Sequence, residues 1–186
     1  NLHLFGLIGP GGVHASDEHY RELLALAQEM GLPGERVKVH ALLDGRDTPP
    51  TSASGFMEKL EGMLAEFGGD IASICGRYWG MDRDQRWNRT EKFWNCMIHG
   101  RGEFSAQSAQ EGLRLAVERG ETDEFVLPTV IGAPAPVRDG DSIFCFNFRA
   151  DRVRQMSQAL LESSFNSFEL GDVPQIQHAT MTQYRK

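Results

Sequence analysis

The sequence predicts an α/β fold, a three-layer domain in which a mixed, mostly parallel sheet, open or curled, is flanked by helices. Apolar runs typical of strands alternate along the chain with helical patterns, which favours a parallel sheet with crossover helices. The 186 residues are 40% hydrophobic, enough for one domain with a sizeable core. No repeat or composition break divides residues 1–186, so we expect a single domain.

The first half of the chain contains three strand-like runs, predicted at residues 2–8, 36–43 and 71–75. The first two are each followed by an amphipathic helix. Ser16 and Ser52 are the candidate N-caps, and Gly31 and the pair Gly68-Gly69 end these helices. After the third run comes a loop, and a further helix is predicted from about Gln85.

The second half begins with a helix predicted at residues 108–119. Residues 128–140 contain three prolines, which predicts an irregular connection. A buried strand at residues 142–148 and a helix at 153–161 follow, and a last strand is expected at 175–181.

Composition narrows the class of protein. The chain has 26 acidic and 19 basic residues, for a net charge of −7, whereas proteins that bind nucleic acid or membrane surfaces are more often basic. No signal peptide or apolar run of roughly 20 residues is visible. Cys75, Cys96 and Cys145 show neither a disulfide framework nor zinc spacing, which predicts buried thiols in a reducing, cytoplasmic setting. Arginines outnumber lysines 15 to 4, which favours focused recognition of anions.

Candidate functional residues lie in four loops that follow strands, at the ends where open α/β sheets bind ligands. The loops are Gly11-Gly12-Val13-His14, Asp44-Gly45-Arg46-Asp47, Gly76-Arg77 through Arg83, and Asn147-Phe148-Arg149 through Arg152. The spacing of Arg149 and Arg152 predicts that both guanidiniums share one face of the first turn of a helix. Free backbone N–H groups at that turn would favour a carboxylate or phosphate.

Each loop also has a structural interpretation. The glycines match no nucleotide fingerprint, and the spacing of His14 and His19 is poor for a shared metal ion. The arginines of residues 77–89 are equally typical of surface residues in ion pairs. The loop Asp44-Gly45-Arg46-Asp47 is likewise typical of a solvated turn with an internal ion pair. Asp151 and Glu162 are candidate structural partners of the last two arginines.

Taken in order, the four loops resemble the signatures of the cofactor-independent phosphoglycerate mutase family. Two further segments, Arg119-Gly120-Glu121-Thr122-Asp123-Glu124-Phe125 and Met181-Thr182-Gln183-Tyr184, match the same family, so the resemblance covers essentially the whole chain. The first loop departs from the usual Ser-Asp-Gly-Gly-Val-His-Ser-His at Gly9-Pro10 and Ala15-Ser16. This departure bears on the orientation and pKa of His14.

The resemblance implies that the chain is the inserted substrate-binding (phosphotransferase) domain of a larger two-domain enzyme. An alkaline-phosphatase-like domain of the same polypeptide, which would carry the serine nucleophile and two manganese ions, has no counterpart here. The first residues read as the middle of a strand and lack an initiator Met, as expected of a fragment. The implied parent is a monomeric, cytoplasmic enzyme that interconverts 2- and 3-phosphoglycerate in glycolysis through a phosphoserine.

The resemblance also implies the site residues, matched motif by motif: His14, Arg46, Asp47, Arg77, Arg83, Arg149 and Arg152. The arginines would clamp the substrate carboxylate and phosphate. Asp47 would act as acid or base on the glycerate hydroxyls, and His14 would contact the phosphoryl group or a hydroxyl. No metal or other cofactor is assigned to this chain. Two alternatives stay open: a stand-alone binding module for a small acid, and single-stranded RNA binding by residues 77–89.

Overall fold

A seven-stranded sheet forms the centre of the fold in this computed structural model, which describes residues 1–184. The strands are β1 (Leu2–Leu7), β2 (Val37–Leu43), β3 (Asp70–Gly76), β4 (Phe104–Ala106), β5 (Thr129–Ile131), β6 (Ser142–Cys145) and β7 (Gln177–Thr180). They form an open sheet in the order β4-β5-β3-β2-β1-β6-β7. β5 pairs antiparallel with β3, and every other neighbouring pair is parallel. The predicted mixed, mostly parallel sheet is confirmed.

Helices cover both faces of this sheet. They are α1 (Asp17–Glu29), α2 (Ala53–Phe67), α3 (Arg77–Gly80), α4 (Trp87–His99), α5 (Ala109–Glu118) and α6 (Arg154–Leu161). α2 contacts both α1 and α5, whereas α4 contacts α3 and α6. Tyr20 of α1 packs against Phe146, which lies against Gly6 of β1. Phe93 of α4 packs against Phe5, the preceding residue of the same strand. The three-layer prediction is therefore confirmed.

The prediction that residues 128–140 are irregular is wrong at its start, because β5 lies directly after Pro128. Together with β4 it extends the sheet beyond β3 by two strands that run antiparallel to the rest. Both strands have only three residues, too few for an alternating pattern to be visible in the sequence. The strand predicted at 142–148 ends at Cys145, because beyond it the Asn147 side chain, not a backbone carbonyl, accepts the N–H of Leu7 at 2.9 Å.

Ser16 and Ser52 occupy the predicted N-cap positions of α1 and α2, but neither makes a side-chain cap hydrogen bond. At the start of α2 the carboxylate of Asp123 takes this role from 70 residues away. Its Oδ2 accepts from the backbone N–H of Ser52 at 2.8 Å and of Ala53 at 2.9 Å. A local sequence pattern cannot reveal such a cap. The contact fixes the short 3₁₀ turn Asp123–Phe125 against the first turn of α2.

Cys75, Cys96 and Cys145 are free and buried, as predicted. Burial raises the pKa of Cys96 to about 12, so this thiol is protonated and unreactive. Within residues 1–184, no helix has the length and apolar character needed to cross a bilayer.

Candidate functional site

The four candidate loops meet at one edge of the sheet, because they follow the parallel strands β1, β2, β3 and β6. β1 lies between β2 and β6, so the chain order reverses at this point of the sheet. Crevices at such reversals, outside the carboxyl ends of the strands, are where open α/β sheets bind ligands. Contacts of 2.6–3.9 Å join side chains from all four loops.

Arg77 is the centre of this site and begins α3 directly after β3; its side chain is only 3% exposed. Its Nη1 donates to Asp44 Oδ1 at 2.6 Å and to Asp47 Oδ2 at 2.7 Å. Its Nη2 donates to His14 Nε2 at 3.0 Å. We call His14, Asp44, Asp47 and Arg77 the inner cluster. The departures at Gly9-Pro10 and Ala15-Ser16 leave His14 in this contact.

Asp44 anchors the inner cluster through both its loop and Arg77. Besides the guanidinium, its Oδ1 accepts from the backbone N–H groups of Arg46 at 3.1 Å and Asp47 at 3.0 Å. The turn between them needs Gly45, whose φ is +70°. A Cβ at Gly45 would also lie 2.8 Å from the backbone nitrogen of Glu124. The loop is therefore closed tightly against the turn Asp123–Phe125.

The protonation state of His14 follows from its partner. A guanidinium only donates hydrogen bonds, so His14 Nε2 must accept, and the proton of the neutral ring is on Nδ1. Burial, and next the charge of Arg77, lower the pKa of His14 to about 4. At neutral pH the residue is therefore an uncharged imidazole with one N–H donor at Nδ1.

Asp47 is the more accessible carboxylate of the inner cluster, with 28% of its side chain exposed. Burial alone would raise its pKa, but the hydrogen bond and charge of Arg77, together with the charge of Arg149, lower it below the ordinary value. Asp47 is therefore ionised at neutral pH and suited to accept a hydrogen bond from a ligand hydroxyl.

Three arginines surround the inner cluster on the solvent side, and each is held by a carboxylate of the chain. Arg46 Nη1 lies 3.3 Å from Glu124 Oε1. Arg83 Nη1 donates to Asp151 Oδ2 at 2.8 Å, and Arg149 Nε lies 3.0 Å from Asp151 Oδ1. Their side chains are 55%, 45% and 48% exposed, respectively. We call these three the outer arginines, and a ligand can reach all of them.

Arg152 is the fifth arginine of the site, and its Nη1 donates to the backbone oxygen of Met81 at 3.2 Å. Burial, and then the charges of Arg77, Arg83 and Arg46, lower the pKa of Arg152. The group stays protonated, so this shift indicates a concentration of positive charge that a bound anion would relieve.

The prediction that Arg149 and Arg152 occupy the first turn of a helix is wrong. A 3₁₀ turn, Ala150–Arg152, precedes α6, which begins only at Arg154. Asp151, within this turn, is engaged by Arg149 and Arg83 and keeps the segment in a tight loop. The side chains of the two arginines therefore lie at the crevice, but not at the N-terminus of α6.

Sequence reasoning missed Asp44 and Glu124 as partners of the predicted arginines, since both contacts join distant loops. It proposed Asp151 only as a structural partner of Arg149 and Arg152; the structure shows the pair with Arg149 and adds Arg83 and a 3.8 Å approach to His14. Two arginines that follow the third loop stay outside the site. Arg86 pairs with Asp84, and Arg89 pairs with Asp82 while lying over the Tyr78 ring at 3.7 Å. The interpretation as paired surface charges holds for these two.

No residue of the site is placed to hold a metal ion. Across residues 1–184, the structure contains no group of three or more His, Cys, Asp or Glu side chains with a suitable arrangement. Asp44 and Asp47 are already bound to Arg77, whose positive charge would oppose a cation between them. The arginines of the site favour an anion over a cation.

Comparisons with known proteins identify the family to which the chain is similar. The profile of a family described as "BPG-independent PGAM N-terminus" matches residues 1–186. The chain is 47% identical over 184 residues to the 2,3-bisphosphoglycerate-independent phosphoglycerate mutase of Ectopseudomonas mendocina, and 44% identical to that of Aeromonas salmonicida. Each match covers 98% of this chain and 36% of the relative.

A solved structure, that of Leishmania mexicana phosphoglycerate mutase at low cobalt concentration, superimposes with a TM-score of 0.93 at 35% identity. The match covers 98% of this chain and 35% of that one. The chain thus spans about a third of the length of the relatives it matches.

Proposed function

The chain belongs to the BPG-independent PGAM N-terminus family, and from this premise we propose that it is the glycerate-holding domain of a cofactor-independent phosphoglycerate mutase. The observation that supports this most is the site itself. Five arginines from three of the four loops surround a neutral histidine and an ionised carboxylate at one edge of the sheet. Such a crevice suits a small, multiply charged acid with hydroxyl groups.

In this proposal the outer arginines and Arg152 bind the carboxylate and phosphate of 2- or 3-phosphoglycerate. Guanidiniums meet both groups through paired N–H donors, which fixes the ligand's orientation as well as its affinity. Asp47 accepts a hydrogen bond from the glycerate hydroxyl that gives or receives the phosphoryl group. The Nδ1–H of His14 is a further donor next to these groups.

The transfer itself belongs to the rest of the parent polypeptide. A serine of the phosphatase-like domain would take the phosphoryl group and return it to the other hydroxyl. Two manganese ions of that domain would supply charge stabilisation. The task of the present chain is retention, because glycerate that leaves between the two transfers would turn a mutase into a phosphatase. A monomeric, cytoplasmic glycolytic enzyme completes the proposal, supported by the buried free thiols.

The RNA alternative loses its main support, because Arg86 and Arg89 of residues 77–89 are paired with aspartates of the same segment. A stand-alone binding module would use the same site, and it would differ from the mutase only in having no catalytic domain in the same polypeptide. A parent reading frame that encodes a serine nucleophile and Asp and His metal ligands would select the mutase, and flanks without them would select the module.

The proposal is tested by calorimetric titration of the purified chain with 3-phosphoglycerate. We expect weak binding, since only part of the substrate's surroundings is present. Arg149→Ala should weaken it by about 2 kcal/mol or more, roughly 30-fold. Arg138→Ala is the matched control, because Arg138 is exposed and precedes β6 at the opposite edge of the sheet. Equal affinities of the wild type and Arg149→Ala would remove Arg149 from the site.

A second assay addresses the division of labour. The purified chain should not interconvert 2- and 3-phosphoglycerate even with Mn²⁺, because it lacks the nucleophile. Measurable interconversion by the chain alone would show that the missing domain is not needed and would contradict the proposal.

A further inference from the structure

We propose that Asp151 is a positioning residue for His14, and that the ligand anion controls it by exchange of partners. In this structure Asp151 is engaged by Arg83 and Arg149. When an anion takes these arginines, the carboxylate becomes free to accept the Nδ1–H of His14. The inference rests on the proposed function in one respect, that the anion is phosphoglycerate.

The first support is a pair of buried atoms that lack hydrogen-bond partners. His14 Nδ1 and Asp151 Oδ1 lie 3.8 Å apart, beyond hydrogen-bond distance, and neither has a hydrogen-bond partner. Because His14 Nε2 accepts from Arg77, Nδ1 must carry the proton and Oδ1 is the acceptor that faces it. Buried polar groups are nearly always satisfied, so two complementary atoms at this separation point to a contact that is made in another state.

The second support is what holds the two atoms apart. The charge of Arg149, with its Nε 3.0 Å away, attracts Asp151 Oδ1, and Arg83 donates to Oδ2 at 2.8 Å. Both arginines are nearly half exposed, so a ligand carboxylate or phosphate can accept their N–H groups. Once that happens, Asp151 loses its counter-charges and is repelled by the ligand's charge. The donor that remains nearest to Oδ1 is His14 Nδ1–H.

The consequence is a chain of hydrogen bonds, Asp151–His14–Arg77, that is complete only with ligand bound. A carboxylate on one ring nitrogen fixes the tautomer and orientation of an imidazole, as carboxylates behind metal-bound histidines do elsewhere. Glu124 offers an internal comparison, because it holds Arg46 in the same manner at 3.3 Å. Its pairing with Arg46 does not involve His14, so its removal should affect anion affinity alone.

The exchange can be tested without any substrate by ¹⁵N–¹H NMR of the imidazole in the ¹⁵N-histidine-labelled chain. Arg149→Ala frees Asp151 Oδ1 and should move the His14 Nδ1 proton downfield and slow its exchange with water. Arg46→Ala is the matched control and should leave this proton unchanged. The double variant Arg149→Ala/Asp151→Ala, which has no acceptor at position 151, should lose the shift. An Arg149→Ala spectrum with the His14 signals of the wild type would overturn the inference.

A titration with 3-phosphoglycerate supplies the second arm. Asp151→Ala and Glu124→Gln should each bind up to about fivefold more tightly, since each removes a resident carboxylate that competes with the ligand. At saturation the Nδ1 proton should move downfield in the wild type and in Glu124→Gln, but not in Asp151→Ala, which has no acceptor at this position. The same shift in Asp151→Ala would contradict the inference. If no variant binds 3-phosphoglycerate, the proposed function fails, and the Arg149→Ala arm still decides the exchange.

Discussion

The inner cluster and the outer arginines are built from the same residue types but are held in different ways. In the inner cluster, one buried guanidinium, Arg77, faces the carboxylates of Asp44 and Asp47 and the ring of His14. Outside it, three half-exposed arginines are each held by one carboxylate, and Arg152 donates to a backbone carbonyl. The inner groups are fixed to one another, whereas the outer ones are open to exchange.

The inner cluster and its surroundings also differ in their balance of charge. The inner cluster has one guanidinium against two carboxylates, whereas outside it four arginines face Asp151 and Glu124. In the proposed function, an anion binds the outer arginines and the inner cluster presents Asp47 as a hydroxyl acceptor. The site would then combine a part that is preformed by folding with a part whose ion pairs the ligand replaces.

The largest expected effect comes from Arg77→Ala, which leaves Asp44 buried without its partner. We expect a loss of about 3–5 kcal/mol in the free energy of unfolding, measured by urea denaturation. Arg114→Ala, which breaks an exposed pair with Glu118, should cost about 1 kcal/mol or less. A similar small loss for Arg77→Ala would mean that the inner cluster is not a structural unit.

A second prediction concerns the pH dependence of stability. The pKa of His14 is about 4 in the folded chain, against 6.5 for an unperturbed histidine, so the unfolded chain takes up a proton first as the pH falls. Stability should be unaffected by His14 above pH 6.5 and decline between pH 6.5 and 4, by about 3 kcal/mol in all.

Comparison with His14→Gln isolates this contribution. The pKa values of His3, His40 and His178 are also lowered, chiefly by burial, and affect both proteins alike. The difference between the two unfolding curves should therefore change only within this window. Parallel curves from about pH 7 to 4 would show that His14 is not held as a neutral, buried ring.

The smallest change in stability is expected for the outer arginines. Arg83→Ala removes an exposed ion pair with Asp151 and should alter the free energy of unfolding by about 0.5 kcal/mol or less. Its affinity for 3-phosphoglycerate should nevertheless fall at least severalfold, measured by calorimetry. If Arg83→Ala unfolds as readily as Arg77→Ala, the distinction between the two regions disappears.

Much of this organisation could be predicted from local sequence. The alternation of strands and helices is visible because the apolar runs are long enough to show a period. This alternation predicts a parallel sheet, in which the ends of β1, β2, β3 and β6 lie together. The three-residue strands β4 and β5 are too short for that signal. The helix predicted at Arg149 and Arg152 is wrong because helical spacing continues through a 3₁₀ turn, which hides where α6 begins.

The sequence could not reveal hydrogen bonds and ion pairs between residues that are far apart along the chain. Asp123 caps α2, Asp44 binds Arg77, and Glu124 binds Arg46, in each case from a separate loop. These contacts depend on strand order and on the close approach at Gly45, which tertiary packing decides. The sequence thus indicates which loops come together, but not which carboxylates hold the arginines of those loops.

Whether this crevice holds phosphoglycerate is best decided by a map of backbone amide shifts during titration of the ¹⁵N-labelled chain with 3-phosphoglycerate. We expect saturable shifts in the four loops that end β1, β2, β3 and β6, strongest near His14, Asp47, Arg83 and Arg149. Residues at the opposite edge, such as Arg138, should not move. Shifts confined to another surface, or none at millimolar ligand, would contradict the proposal.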